Sequence, residues 1–187
     1  MSCPSPSVRR RNMSTVSEER PAQSTPPCQE MARPGQEHQF LEKFVGEWES
    51  EGEMMAPGQP PSKIKSIESS HMVGGFWLVA QIKSTLPDFP YEQILTIGYD
   101  AAKKKYIGTV VDSMTSHLWQ FEGSFDATGN ILTYETEGPV PNPQTPSKFR
   151  EVMELKSPDH KVFTSSILKP DGSWETMMTI NVRRKKH

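Results

Sequence analysis

From Glu47 to Met54 the chain alternates without a break, with Glu47, Glu49, Glu51 and Glu53 at odd positions and Trp48, Ser50, Gly52 and Met54 between them. A period of two puts successive side chains on opposite faces, so this stretch predicts a half-buried strand and excludes a one-sided helix. The four carboxylates fall on one face and the Trp on the other. Just upstream, Phe40, Leu41 and Phe44 stand at i, i+1, i+4 spacing, which predicts a short helix within Gln36–Phe44. From there to the end, strand signals and turn signals take turns. Strands are expected at Ser62–Met72, Gly75–Ser84, Glu92–Tyr99, Lys105–Asp112, His117–Phe125, Ile131–Gly138, Ser147–Lys156, Lys161–Lys169 and Trp174–Arg184. The intervening Gly, Pro, Asp and Asn clusters supply the turns. About ten short strands after one helix predict an all-β fold, an antiparallel up-and-down barrel, because closure removes the exposed edges that so many strands would otherwise present.

Residues 1–35 break this rhythm. They are rich in Ser, Pro, Arg and Gln and nearly free of large apolar side chains, so they cannot bury enough surface to offset chain entropy. A disordered extension is expected there, with a single barrel domain at 36–187. Met13 and Met31 are alternative starts. The net charge is −2, of which the extension carries +2, leaving −4 for the barrel. That balance gives no basic surface for nucleic acid. No run approaches the roughly 18 apolar residues of a membrane helix, and the basic Arg9-Arg10-Arg11 precedes no apolar segment, so neither a membrane span nor a secretory signal is expected. Both cysteines, Cys3 and Cys28, lie in the extension; without a disulfide framework the domain is expected to be cytoplasmic.

Alternation also sorts side chains into faces. Lys63 and Lys65 stand where they can pair across strands with the glutamate row, making that row an outer, solvated face. A row spaced ~7 Å apart along a strand does not converge on one cation. The interior is expected to be lined by Trp48, Trp77, Trp119, Phe121 and Met153, with Asp112, His117 and Arg150 as polar anchors. An inward Arg150 would grip a carboxylate with two parallel bonds; an outward one would pair with neighbouring glutamates. Asp112 and His117 flank the Ser113-Met114-Thr115-Ser116 connection. As a pair they would orient an imidazole for base work with Ser113 or Ser116 as nucleophile. Otherwise, Asp112 accepts turn amides. No nucleophile elbow accompanies them. The five histidines show no metal-ligand spacing, and no metal or catalytic set is assigned.

Several motifs come in an ordered series: Gly74-Gly75-Phe76-Trp77-Leu78, Gly98-Tyr99-Asp100, Lys103-Lys104-Lys105-Tyr106, Asp112-Ser113-Met114-Thr115 and Gly123-Ser124-Phe125-Asp126-Ala127-Thr128-Gly129. Together with Asp171-Gly172 and the Met178–Lys185 strand, they resemble an uncharacterised bacterial family, the domain of unknown function 1579, over about residues 38–185. The resemblance implies a lipocalin-like or fatty-acid-binding-protein-like barrel of the calycin kind. The Gly46-x-Trp48 opening is similar to that of lipocalins. A looser likeness, in Leu41–Gly52 and Ser69–Gly74, is to the haem-binding nitrobindin barrels, whose axial His comes from the C-terminal region. The expected last strand here, Trp174–Arg184, contains no His.

The function expected from these features is non-catalytic binding of a small hydrophobic or amphipathic ligand, with no resident cofactor assigned. The ten methionines offer a soft lining for it. An isomerase or hydrolase using Asp112 and His117, a haem carrier, and a partner-binding domain with a filled core are the alternatives. A homodimer is compatible with all of them.

Overall fold

The computed structural model describes residues 33–54, 61–85, 90–139 and 146–186. Most of the expected N-terminal extension, with Cys3 and Cys28, and the Pro139–Pro146 loop fall largely outside the described residues, as does His187. One helix, α1 (Gln36–Glu42), leads into ten strands: β1 (Gly46–Met54), β2 (Ser62–Val73), β3 (Trp77–Thr85), β4 (Pro90–Asp100), β5 (Lys105–Asp112), β6 (Trp119–Phe125), β7 (Ile131–Gly138), β8 (Ser147–Ser157), β9 (His160–Leu168) and β10 (Trp174–Arg184). Each strand pairs antiparallel with its sequence neighbours, and β1 pairs with β10 to close the barrel. The expected up-and-down barrel is thus the observed fold. β3 starts at Trp77 rather than Gly75 because Gly74 and Gly75 take positive φ in the turn. β6 starts at Trp119 rather than His117, since the preceding residues belong to the connection from Asp112.

The register bears out the outer glutamate row. Glu51 lies opposite Lys65 and Glu53 opposite Lys63, and the Lys65–Glu51 pair spans 3.0 Å on a fully solvated wall. Exposed pairs of this kind contribute about 0–1 kcal/mol and serve solubility more than stability.

Helix α1 closes one end of the barrel. Leu41 and Phe44 are completely buried and pack with Leu78, Ile97, Tyr106 and Leu132 to form a filled core beneath it. The helix is pinned from several sides: Tyr106 Oη donates to Glu37 O (2.9 Å), and Lys43 Nζ donates to Gly129 O and Asn130 Oδ1, each at 3.0 Å. Phe40 lies on Gly129, whose φ of +64° and missing Cβ both suit the contact: a Cβ there would meet the Phe40 ring at 2.5 Å. Asp126 shapes this β6–β7 turn by accepting from the amides of Ile131 and Asn130 and from the Thr128 hydroxyl. Those bonds hold its carboxyl down at about 2.

Candidate functional site

Away from α1 the barrel is hollow. A cavity of about 360 Å³ runs inside it from Phe44 and Trp48, near the helix, to Tyr91, Gln93, Asp112, Met114 and Trp119 at the opposite end. The inward phase of nearly every strand contributes apolar surface: Ile64, Leu78, Ala80, Leu95, Val110, Phe121, Phe149, Met153, Phe163, Ile180 and Val182. Into this surface are set a few polar groups.

Deepest is an ion pair. Lys161, 3% exposed, donates to both carboxylate oxygens of Glu68 at 2.7 and 2.8 Å. Its Nζ also sits 4.5 Å from the centre of the Trp48 ring. Burial pushes the Lys161 ammonium below its ordinary pKa even though Glu68 pulls the other way. Trp48, 1% exposed, donates its indole N–H to Phe44 O at 3.1 Å, and the Arg184 guanidinium stacks 4.1 Å from its ring centre. Arg184 in turn donates to Val45 O (2.7 Å) and Pro158 O (3.1 Å), tying the two ends of the domain together. Gly46, at φ +135°, makes room for this: a Cβ there would lie 2.3 Å from Arg184 Nη1. The Gly-x-Trp opening is thus explained by Arg184, a residue almost at the other end of the chain.

Midway along the wall is Glu151. Its Oε1 accepts from Ser165 Oγ at 2.9 Å, while its Oε2 is buried with no hydrogen-bond partner, the one such side-chain atom among the described residues. Burial pushes the carboxyl up to about 7, against the opposing Ser165 bond. Tyr134, directly across on β7, has its hydroxyl raised by burial and then by the nearby Glu151 and Glu68. At the far end, Tyr91 Oη donates to Gln93 Oε1 (2.6 Å) and Trp119 Nε1 donates to Asp112 Oδ2 (3.1 Å).

Glu151 makes a pH prediction. Its folded pKa lies above the ordinary carboxylate value, so its contribution to stability is complete below that value and is lost as pH rises through about 7. Between about pH 5 and about pH 8 the wild type is expected to lose on the order of 3 kcal/mol of unfolding free energy relative to Glu151→Gln. Urea unfolding across pH reads this directly, and parallel profiles for the two proteins would refute it.

The structure sorts the sequence-predicted residues into two groups. Trp48, Asp112 and Trp119 line the cavity, as do Phe121 and Met153. Trp77, His117 and Arg150 do not. Trp77 lies on the outer wall, 40% exposed, because its partner Gly98 leaves a hollow into which the indole lies flat. Arg150 also points outward, where it grips Glu135 through Nε and Nη2 (3.0 and 2.7 Å) and stacks 4.1 Å from the Trp174 ring. Since Phe149 and Met153 face inward, alternation places Glu151, not Arg150, in the interior. Trp77 therefore departs from the expectation that it lines the interior.

His117 and Asp112 are not brought together as a catalytic pair. Asp112 Oδ1 accepts from the amides of Met114 (2.8 Å) and Thr115 (3.0 Å), and its Oδ2 from Trp119. His117 Nε2 bonds Glu137 O at 3.2 Å and its ring borders an outer groove. Asp112 is a turn former whose second oxygen anchors an interior indole.

The nitrobindin-like expectation of haem does not fit. No cavity-lining residue is a His or Cys, so the proximal imidazole that likeness implies has no counterpart among the described residues. His38, on α1, packs edge-on against Phe76 and Tyr99, and His160 bonds Asn181 Oδ1 on the exposed side.

Glu68, Lys161 and Glu151 were not singled out from the sequence. For the two acids the signal existed: each occupies the apolar phase of its strand, among Ile64 and Met72 or among Phe149, Met153 and Leu155. Lys161 gave no such sign, because both phases of β9 mix polar and apolar residues.

Fold and interior together define a closed ten-stranded antiparallel barrel, capped by a helix at one end and hollow at the other. The chain belongs to the family described as "Protein of unknown function (DUF1579)", matched over residues 33–184. Among solved structures it is similar to Rv2717c from M. tuberculosis, with a TM-score of 0.59 and 12% identity, covering 82% of this chain and 100% of that one. It is also similar to the S-type phycobiliprotein lyase CPES from Guillardia theta, with a TM-score of 0.52 and 13% identity, covering 80% of this chain and 92% of that one. At such identities the likeness is one of fold. No curated protein matches the chain.

Proposed function

We propose that this protein holds a small, largely apolar or amphipathic molecule inside the barrel and does not transform it. The observation that supports the reading is the interior itself: a predominantly apolar cavity of about 360 Å³, within the range of small-molecule sites and carrying only a few polar groups. Catalysis finds less support, since Asp112 spends its lone pairs on turn amides and an indole while His117 faces the outer groove. The phycobiliprotein lyase contributes fold alone to this reading.

A neutral apolar fluorophore, N-phenyl-1-naphthylamine, tests it. Saturable one-site binding with enhanced emission is expected. Ser84→Trp, which fills the inner wall toward the far end, is expected to weaken binding by at least about tenfold; Ser66→Phe does the same from β2. Absence of saturable binding, or unchanged binding in both variants when circular dichroism shows them folded, would overturn the proposal.

A further inference from the structure

The charges along the cavity wall are lopsided. Among the described residues it is lined by three carboxyl side chains, Glu68, Glu151 and Asp112, and by one base, Lys161. Lys161 is fully committed: its ammonium holds both oxygens of Glu68. The arginines that might have met an anion are used elsewhere, Arg184 on backbone carbonyls and Arg150 outside on Glu135. An anionic guest such as a fatty-acid carboxylate would therefore enter a site with no unspent cation and at least one acid facing it.

We infer that the cavity is shaped for a cationic amphipathic guest, a protonated amine on an apolar body, with its ammonium docked on Glu151. This deepens the container reading and rests on it. Glu151 Oε2 is an acceptor with no donor, and a buried polar atom in that condition carries a desolvation cost that a guest N–H would relieve. Asp112 cannot play this part, since its oxygens already accept three N–H groups. Glu151 is flanked across the sheet by Tyr134 on β7 and Ser165 on β9. Close by, Phe121 lies 4.2 Å from the Tyr134 ring and Trp119 packs edge-on against Phe149 at 5.7 Å, so the wall on that side offers aromatic faces of the kind that attract ammonium groups. The apolar body would occupy the space between this wall and Ala80 and Leu95.

Docking on the carboxylate form requires Glu151 to give up its proton. The titratable groups that share its cavity are Tyr134 from β7, directly opposite it, Glu68 from β2, Lys161 from β9 and, at the far end, Tyr91 from β4 and Asp112 from β5. Tyr134 has its hydroxyl raised, and Glu68 and Lys161 are locked on one another. Amine affinity is thus expected to strengthen as pH rises through the range where Glu151 ionises, while the affinity of a neutral guest stays flat.

A matched series decides it: octylamine, octanol and octanoate, each displacing N-phenyl-1-naphthylamine from the full chain at about pH 8. Octylamine is expected to displace at concentrations at least about tenfold lower than octanol, with octanoate the weakest. Glu151→Gln, or Glu151→Met if the first variant is unstable, is expected to bring octylamine to within about threefold of octanol measured on the same variant. Octanoate matching octylamine, or an amine preference that survives both substitutions, overturns the inference. If fluorophore and octanol bind but octylamine gains nothing, only the amine inference falls. If none of the probes enters, the container reading falls with it.

Discussion

Lys161→Met is expected to lower the unfolding free energy by about 3–5 kcal/mol, the cost of stranding one member of a buried ion pair. The substitution leaves Glu68 inside the barrel with neither of its 2.7–2.8 Å bonds and with its carboxylate mostly shielded from solvent. Nothing else among its described hydrogen bonds would replace them. Adding Glu68→Met to the variant removes the orphan and fills the same space with apolar atoms, so the double variant is expected to return to within about 1 kcal/mol of wild type. Urea unfolding followed by circular dichroism measures all three. A loss below about 1 kcal/mol for Lys161→Met, or a double variant as unstable as the single, would show that the pair is not held as a desolvated unit. The same reasoning explains why the pair leaves room for a charged guest: it is neutral in sum, so the net charge a guest meets comes from Glu151 and Asp112.

The fold was legible because many strands show a period of two and nearly every turn contains Gly, Pro, Asp or Asn. Ten strands and a helix need only local signals, and an up-and-down barrel needs no long-range crossover to be guessed. The site was less legible, for a reason that Arg150 and Glu151 make plain. A period of two divides a strand into two faces, and although Phe149, Glu151, Met153 and Leu155 form the more apolar face and Lys148, Arg150, Val152 and Glu154 the more polar one, the two-pronged chemistry of Arg150 argued for an inward cation against that pattern. Expecting Met153 inside already implied Glu151 inside and Arg150 out. Trp77 failed differently. Its size argued for the interior, but the small residue opposite, Gly98, gave the indole a seat on the outer wall that no single-strand pattern reveals. The Asp112–His117 pair failed because four residues of connecting chain were free to turn the two side chains apart, with Asp112 meeting the turn's own amides first.

Trp48 is where the sequence signal and the energetics coincide, and Trp48→Ala is expected to cost about 3–5 kcal/mol, the range for truncating a large buried aromatic. The loss has three physical parts. The indole fills the space between the helix-side core and the cavity floor, its N–H satisfies Phe44 O, and its ring gives Lys161 and Arg184 a face to lie against. Trp48→Phe separates them: it keeps much of the packing and a ring, and is expected to cost about 1–3 kcal/mol, mostly the volume difference and the lost indole hydrogen bond, because Phe44 O still accepts from Ser70 Oγ at 2.7 Å. Because Trp48 and Lys161 touch, their effects should not add. Once the Lys161–Glu68 pair has been removed, Trp48→Ala is expected to cost less by roughly 1 kcal/mol, an interaction energy of the size found for residues in contact. Strict additivity in that cycle would mean that the ring and the ammonium are neighbours without being energetically coupled. A positive coupling would instead establish that Trp48 and the Lys161–Glu68 pair act as one unit, and because Arg184 lies against the same ring, that unit stands where the barrel closes between β1 and β10.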